Sequence, residues 1–197
     1  MAEATLIDFE PVTSKAMTLD DLAAQYNNSD LAAALIAYVD FTRQILSNVT
    51  DEQATYIPDD PDANDTFAAT EEERHVGWSL VHLVAHVTAS AEEGAAFSSL
   101  LARGIAIGGR LRHEQDWQEI TTVVMAVSRL EECQRICLGY LATWPDSPDL
   151  ETKRILQEGA SWSPPNAAAS FMRGLSHWNS HVTQFQNTAE QARQHFA

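Results

Sequence analysis

The chain is expected to fold as an all-α domain, a four-helix bundle with at least one long crossover connection. Two observations carry this expectation. Apolar residues recur at three- and four-residue spacing over four long stretches, whereas no segment shows the two-residue alternation of a half-buried strand. The connections between those stretches are uneven in length, which suits a crossover better than a simple up-and-down hairpin pair.

The elements follow in order. A short helix opens near Thr18, with Asp20 and Asp21 in its first turn, where negative charge suits the helix dipole. From Asp30 to Val49, Leu31, Leu35, Tyr38, Ile45, Leu46 and Val49 mark an amphipathic helix. Residues 51–69 read as a long acidic surface loop, because Pro58, Pro61 and a cluster of Asp and Asn break the period. Ser79 is a good N-cap for a helix that runs to about Arg103, ahead of Gly104; Thr70 and Glu73, at capping-box spacing, add a turn before it. Residues 104–113 form a linker, since the Gly108-Gly109 pair lacks the strand and spacing of a phosphate loop. Asp116 and Glu119 make a second capping box for a helix carrying Ile120, Val124, Val127, Leu130, Cys137 and Leu141, which ends before Pro145. Residues 148–165 are irregular apart from one turn around Leu150 to Leu156, and Pro164-Pro165-Asn166 introduces a last helix that runs to about His195.

Composition narrows the function. The 197 residues are expected to form a single domain, with a bundle core over about 30–195 and an N-terminal extension over 1–29. A hydrophobic content of 45% is enough for a sizeable core, and a net charge of −16 with scattered Lys and Arg disfavours nucleic acid as a partner. No stretch approaches the ~20 apolar residues of a membrane span, so no membrane partner is expected. Residues 1–10 carry acidic residues and no basic run, unlike a secretory signal, and the expected compartment is the cytoplasm. Cys133 and Cys137 stand four apart on a helix; two buried apolar side chains are the plainer reading, with soft ligands or a redox pair as the alternative.

The histidines carry the chemistry. His177 and His181 are one helical turn apart on one face, so two imidazoles can grip one ion. They border the apolar stripe of Phe171, Leu175, Trp178, Val182, Phe185 and Ala189, and the small Ser170 and Gly174 in their own row leave space for a pocket. His82 and His86 repeat the four-residue spacing on an earlier helix. Bundle interiors commonly build metal sites from such inward-facing groups, and imidazoles with an open position describe a reactive ion rather than a structural one. No Ser-His-Asp or Cys-His arrangement can be picked out.

Trp78-Ser79-Leu80-Val81-His82-Leu83-Val84-Ala85-His86-Val87 resembles the Trp-Ser-x-x-Glu-x-Leu-x-His-Leu segment of the DinB-like (YfiT-like) metal-binding bundles. His177-x3-His181-x2-Gln184 resembles that family's terminal His-x3-His-x2-Gln segment, and the likeness spans roughly Leu31 to Gln184. The resemblance implies a four-helix bundle, often a homodimer, with one divalent metal on three histidines: by position His86, His177 and His181. Zinc or nickel are the first candidates, with iron or manganese also admitted. His82 stands where the family has Glu; it is read as exposed, with a supporting group behind the ligands or an extra ligand as alternatives. Ser180 likewise replaces a further histidine of many members.

The resemblance further implies a small-molecule enzyme, a transferase using a low-molecular-weight thiol such as mycothiol or bacillithiol, or a hydrolase. The alternative is a non-catalytic metal-binding stress or scaffold protein with a degenerate site. Gln184, Glu93 and His82 are candidate supporting groups, Glu93 being more simply a solvated helix carboxylate. Arg173, Arg110 and Arg112 offer cations for a thiol cofactor's carboxylates, although ordinary surface charge is the plainer reading of each.

Overall fold

The computed structural model describes residues 6–60, 63, 71–160 and 162–197. The described residues are helical and contain no strand. In chain order the helices are α1 (Glu10–Thr13), α2 (Leu19–Ala23), α3 (Asn28–Leu46), α4 (Asp51–Thr55), α5 (Glu71–Arg74), α6 (Leu80–Leu101), α7 (Val123–Leu141), α8 (Ala167–Ser180) and α9 (Val182–His195). None is long and apolar enough to cross a membrane.

Short polar side chains start six of these helices by taking orphan backbone donors of the first turn. Thr18 and Asp21 form a reciprocal capping box for α2, as do Asn27 and Asp30 for α3 and Thr50 and Gln53 for α4. Ser79, Thr122 and Asn166 each accept one N–H at the heads of α6, α7 and α8.

Helix α6 is the centre of the molecule. Every residue from Leu80 to Ala91 is buried, as expected of a helix apolar on most of its circumference. Helix α8 crosses it at a pair of glycines. A Cβ on Gly94 would lie 2.6 Å from the Ser170 carbonyl oxygen, and one on Gly174 would lie 2.8 Å from Ala91 Cα. Only the missing side chains let the two backbones approach so closely. His86 and His177 face each other across the same pair of helices, so α6 and α8 run antiparallel.

Helix α3 closes another side. Asn28 Nδ2 donates to the Leu141 carbonyl and Arg43 pairs with Glu131, which sets α3 antiparallel to α7. Against α8, the fully buried Tyr38 and Trp178 bring their polar ends to partners, Tyr38 Oη to Asn179 Oδ1 at 2.8 Å and Trp178 Nε1 to Thr42 Oγ1 at 3.1 Å. Each ring buries its large apolar area without leaving a donor unpaired. Ile7, Phe9, Leu22 and Ala23 are buried in the same cluster.

Helices α6 and α7 lie side by side and run the same way: Cys133 Sγ reaches the Thr88 carbonyl, while Ser99 Oγ meets Thr143 Oγ1 just past the end of α7. Residues 102–122 therefore travel back along the length of the pair, and this return path shapes the functional site. Cys133 and Cys137 are free and buried.

Several expectations need correction. Helix α7 begins behind Thr122, not at Asp116; Trp117–Glu119 is a single 3-10 turn capped by Asp116. Ile120 is buried and extended there (φ −90°, ψ 93°), a conformation that stops the turn from continuing as helix. Val124, read as a core position, is 73% exposed, and the buried face is Ala126, Leu130, Cys133, Cys137 and Leu141. The segment read as loop from 51 opens with α4, whose Asp51 carboxylate also accepts the Val123 N–H at the head of α7. The expected turn ahead of Ser79 appears as α5, while its proposed cap Thr70, like residues 61, 62 and 64–69 of the acidic stretch before it, falls outside the described residues. No helical turn forms over 150–156, where Asp149 takes the backbone N–H groups of Glu151 and Thr152. The last helix is two helices, broken at His181.

Candidate metal centre

Three imidazoles converge between α6 and the α8–α9 junction. The rings of His86, His177 and His181 form a nearly equilateral triangle, with centroids 4.8, 4.9 and 5.1 Å apart. One nitrogen from each lies within 4.8 Å of the others, a group able to hold a metal ion. The sequence-predicted ligands are thus brought together.

The fit can be tested on the nitrogens. His86 Nε2 and His177 Nε2 are 2.8 Å apart, so one donates a proton to the other. Two nitrogens each about 2.0–2.1 Å from a shared ion at the tetrahedral angle stand about 3.3 Å apart, so the pair has to open by about half an ångström. A small change in the side-chain torsions of either ring is the movement required. The Nδ1 atoms of His86 and His181 are held from behind, as is usual for ligating histidines. His181 Nδ1 lies 2.8 Å from Gln184 Oε1, which accepts its proton and leaves Nε2 as the lone-pair nitrogen. His86 Nδ1 lies 3.2 Å from Glu114 Oε1 and 2.8 Å from Arg112 Nη2. These two contacts require opposite tautomers, because Arg112 can donate only to a bare nitrogen and Glu114 can accept only from a protonated one. With Nε2 as ligand, Nδ1 carries the proton and Glu114 accepts it. Arg112 then rests on Glu114 Oε2, the His86 carbonyl and Ser90 Oγ.

An aromatic stack covers one side of the cluster. His82 lies between Trp78, at 4.5 Å, and Trp117, at 4.8 Å and 4° from parallel. Trp78 also stands 4.4 Å from His86 and 5.5 Å from His181. The expectation that His82 is exposed is therefore wrong. It is buried, because Trp117 on the return path folds over it. It takes no place in the ligand triangle.

Glu93 is likewise not a solvated carboxylate. Its Oε1 accepts the backbone N–H groups of Leu111 and Arg112 at 2.9 and 3.0 Å and so fixes the return path where it passes the site. Arg112, read as surface charge, is packed against His86 with a side chain only 12% exposed. Arg173 is exposed but lines the same cavity as His177.

The electrostatics favour the neutral form of His177 and His181. Burial, reinforced by His86, His181, Arg112 and Arg173, pushes His177 from 6.5 down to about 3. Burial also lowers His181, with the Gln184 contact opposing it. Burial would raise Glu114, but hydrogen bonding and attraction from His86 and Arg112 win and hold it at about 2. Two imidazoles that resist protonation, next to an ionised Glu114, make a donor set suited to a cation. The pH consequence has a definite sign. Between pH 6.5 and about 3 the unfolded chain takes up a proton that folded His177 refuses, so stability falls with falling pH; Glu114 adds to the fall from 4.5 toward 2. Chelator-treated protein is expected to melt at progressively lower temperature from pH 7 to 4.5, with a shallower slope in His177→Gln. Equal slopes would contradict the depressed His177.

No family model, curated protein or solved structure matches this chain. The site stands on its geometry.

Three contributors escaped the sequence reading: Glu114, Trp117 and Arg154. The first two lie on the return path, whose charged and aromatic residues 110–117 are more than a plain connection needs. Arg154 has no local signal; only the fold brings it beside Glu93.

Proposed function

We propose that this chain is a DinB-like four-helix bundle that binds one divalent metal through His86, His177 and His181 and acts as a metal-dependent enzyme, a low-molecular-weight thiol S-transferase or a hydrolase. Zinc or nickel, and a homodimer, belong to the same proposal. The observation that supports it best is the triangle of three imidazoles beside a polar cavity whose wall includes His177. A structural ion is normally closed off by its ligands, whereas a reactive one keeps an approach for a substrate.

Such an ion supplies Lewis acidity, which makes a nucleophile of a water or thiol near neutral pH. The chain's own residues do the rest. Glu114 and Gln184 fix the tautomers of His86 and His181. Trp78 and Trp117 exclude water from one side, and the cavity leaves another open.

The test uses protein purified without a polyhistidine tag, analysed for metal, stripped and reloaded with zinc or nickel. Loaded protein is expected to consume a cysteine-based thiol against an electrophilic acceptor, or to hydrolyse an activated ester, with the rate returning to background after stripping. If loaded protein shows neither reaction while still binding metal, the non-catalytic metal-binding reading replaces this one.

A further inference from the structure

The cavity beside His177 has a volume of about 370 Å³, at the small end of ligand pockets. Its lining includes three arginines, Arg112, Arg154 and Arg173, in a chain whose net charge is −16. Concentrating guanidinium groups on one wall costs repulsion. Such a cluster calls for an anion.

The protein's own carboxylates do not fully supply it. Arg112 is paired with Glu114. Arg154 faces Glu93 at only 3.9 Å, and Glu93 already accepts two backbone N–H groups. Among the described residues no carboxylate lies within 4.0 Å of Arg173, whose guanidinium instead rests 3.8 Å from the Trp162 ring centre. Arg154 is fixed over Phe97 at 3.5 Å and donates to the Gly109 carbonyl. Three guanidinium charges against the carboxylates of Glu93 and Glu114 leave one positive charge uncompensated. A neutral polar group waits there too: Ser170 is buried, lines the cavity, and its Oγ has no hydrogen-bond partner. Gly94 and Gly174 keep the floor clear of side chains.

We propose that this cavity is an oxyanion-recognition site in which Arg154 and Arg173, with Ser170, hold the single negatively charged end of a small organic substrate or cofactor, its other end directed at His177. One uncompensated charge fits a carboxylate better than a doubly charged phosphate. The proposal deepens the enzymatic reading by naming the charge of its ligand, and it rests on that reading only for what happens at the far end. Anion binding itself needs no ion. Guanidinium groups suit the task because their donors match both oxygens of a carboxylate.

The test is titration of metal-stripped protein with phenylacetate, with its neutral isostere phenylacetamide and with inorganic phosphate, followed by indole NMR signals and calorimetry. Phenylacetate is expected to bind at least tenfold more tightly than the amide and to shift the Trp162 indole signal. Arg173→Gln and Arg154→Gln should each weaken it by tenfold or more, while Arg193→Gln, on the exposed face of α9, should not. Tighter binding of phosphate than of phenylacetate, with the same arginine dependence, supports the oxyanion site and makes the phosphate its ligand chemistry. Equal affinity for acid and amide in the wild-type protein overturns the proposal whatever the variants do, as does wild-type affinity in folded Arg173→Gln and Arg154→Gln. Because no metal is present, a failure here leaves the three-histidine site untouched, and failed metal loading leaves this result standing.

Discussion

His86→Ala is expected to reduce bound zinc or nickel from about one ion per chain to background, while the metal-free protein keeps its fold and melts within a few degrees of wild type. Two ligands on adjacent turns of one region hold an ion poorly without the third from α6, so affinity should fall well beyond 100-fold. Glu114→Gln provides the graded comparison. It keeps a hydrogen-bond acceptor behind His86 but removes the charge, and loss of such a partner costs about 10–100-fold in metal affinity. Competition titration with a chromogenic chelator reads both. If His86→Ala retains both metal and fold, the ligand assignment is wrong. If metal is retained in Glu114→Gln at wild-type affinity, Glu114 is only a surface partner of Arg112.

Gly94→Ala should damage stability and site together. The new Cβ would stand 2.6 Å from the Ser170 carbonyl oxygen, a backbone atom that cannot swing aside, so α6 and α8 must separate. Overpacking of this kind costs about 1–3 kcal/mol, and the better helix propensity of alanine returns at most about 1 kcal/mol of it. Gly174→Ala meets the same obstacle from the other side, at Ala91 Cα. His86 and His177 lie on these two helices, so their separation should also weaken metal binding. Gly139→Ala is the control. It sits in α7 with nothing within 4 Å of its would-be Cβ, and should raise stability by up to about 1 kcal/mol. Thermal melts that put Gly94→Ala level with Gly139→Ala would refute the close approach.

The helical fold was legible because its signals are local. Thr18, Asn166 and Ser79 read as starts from the chain alone, and the four-residue spacing of His177 and His181 needs only helix geometry. The triangle needed His86 as well, which position in a resembling motif supplied. What was missed depends on tertiary placement. Asp116 and Glu119 have capping-box spacing, but the burial of Ile120 overrides it. His82 looks like an exposed first-turn residue until Trp117, distant in sequence, is laid upon it. Glu93 and Arg112 look like surface charge because the unusual composition of residues 110–117 does not say where they run, and only the fold lays them against α6.

His181 occupies the one residue between α8 and α9, with φ −98° and ψ 0°, its N–H closing a tight turn on the Trp178 carbonyl. A ligand placed at a joint, and not on a straight rod, takes its aim from the angle between the two segments. With an ion held there, bending and coordination would be coupled, and by reciprocity whatever drew the lone pair into line would also bias the pose of the C-terminal arm. The tail beyond His181, which reaches the cluster through Gln184 on His181 and through Thr188 on the Trp78 carbonyl, would then respond to what the imidazoles hold.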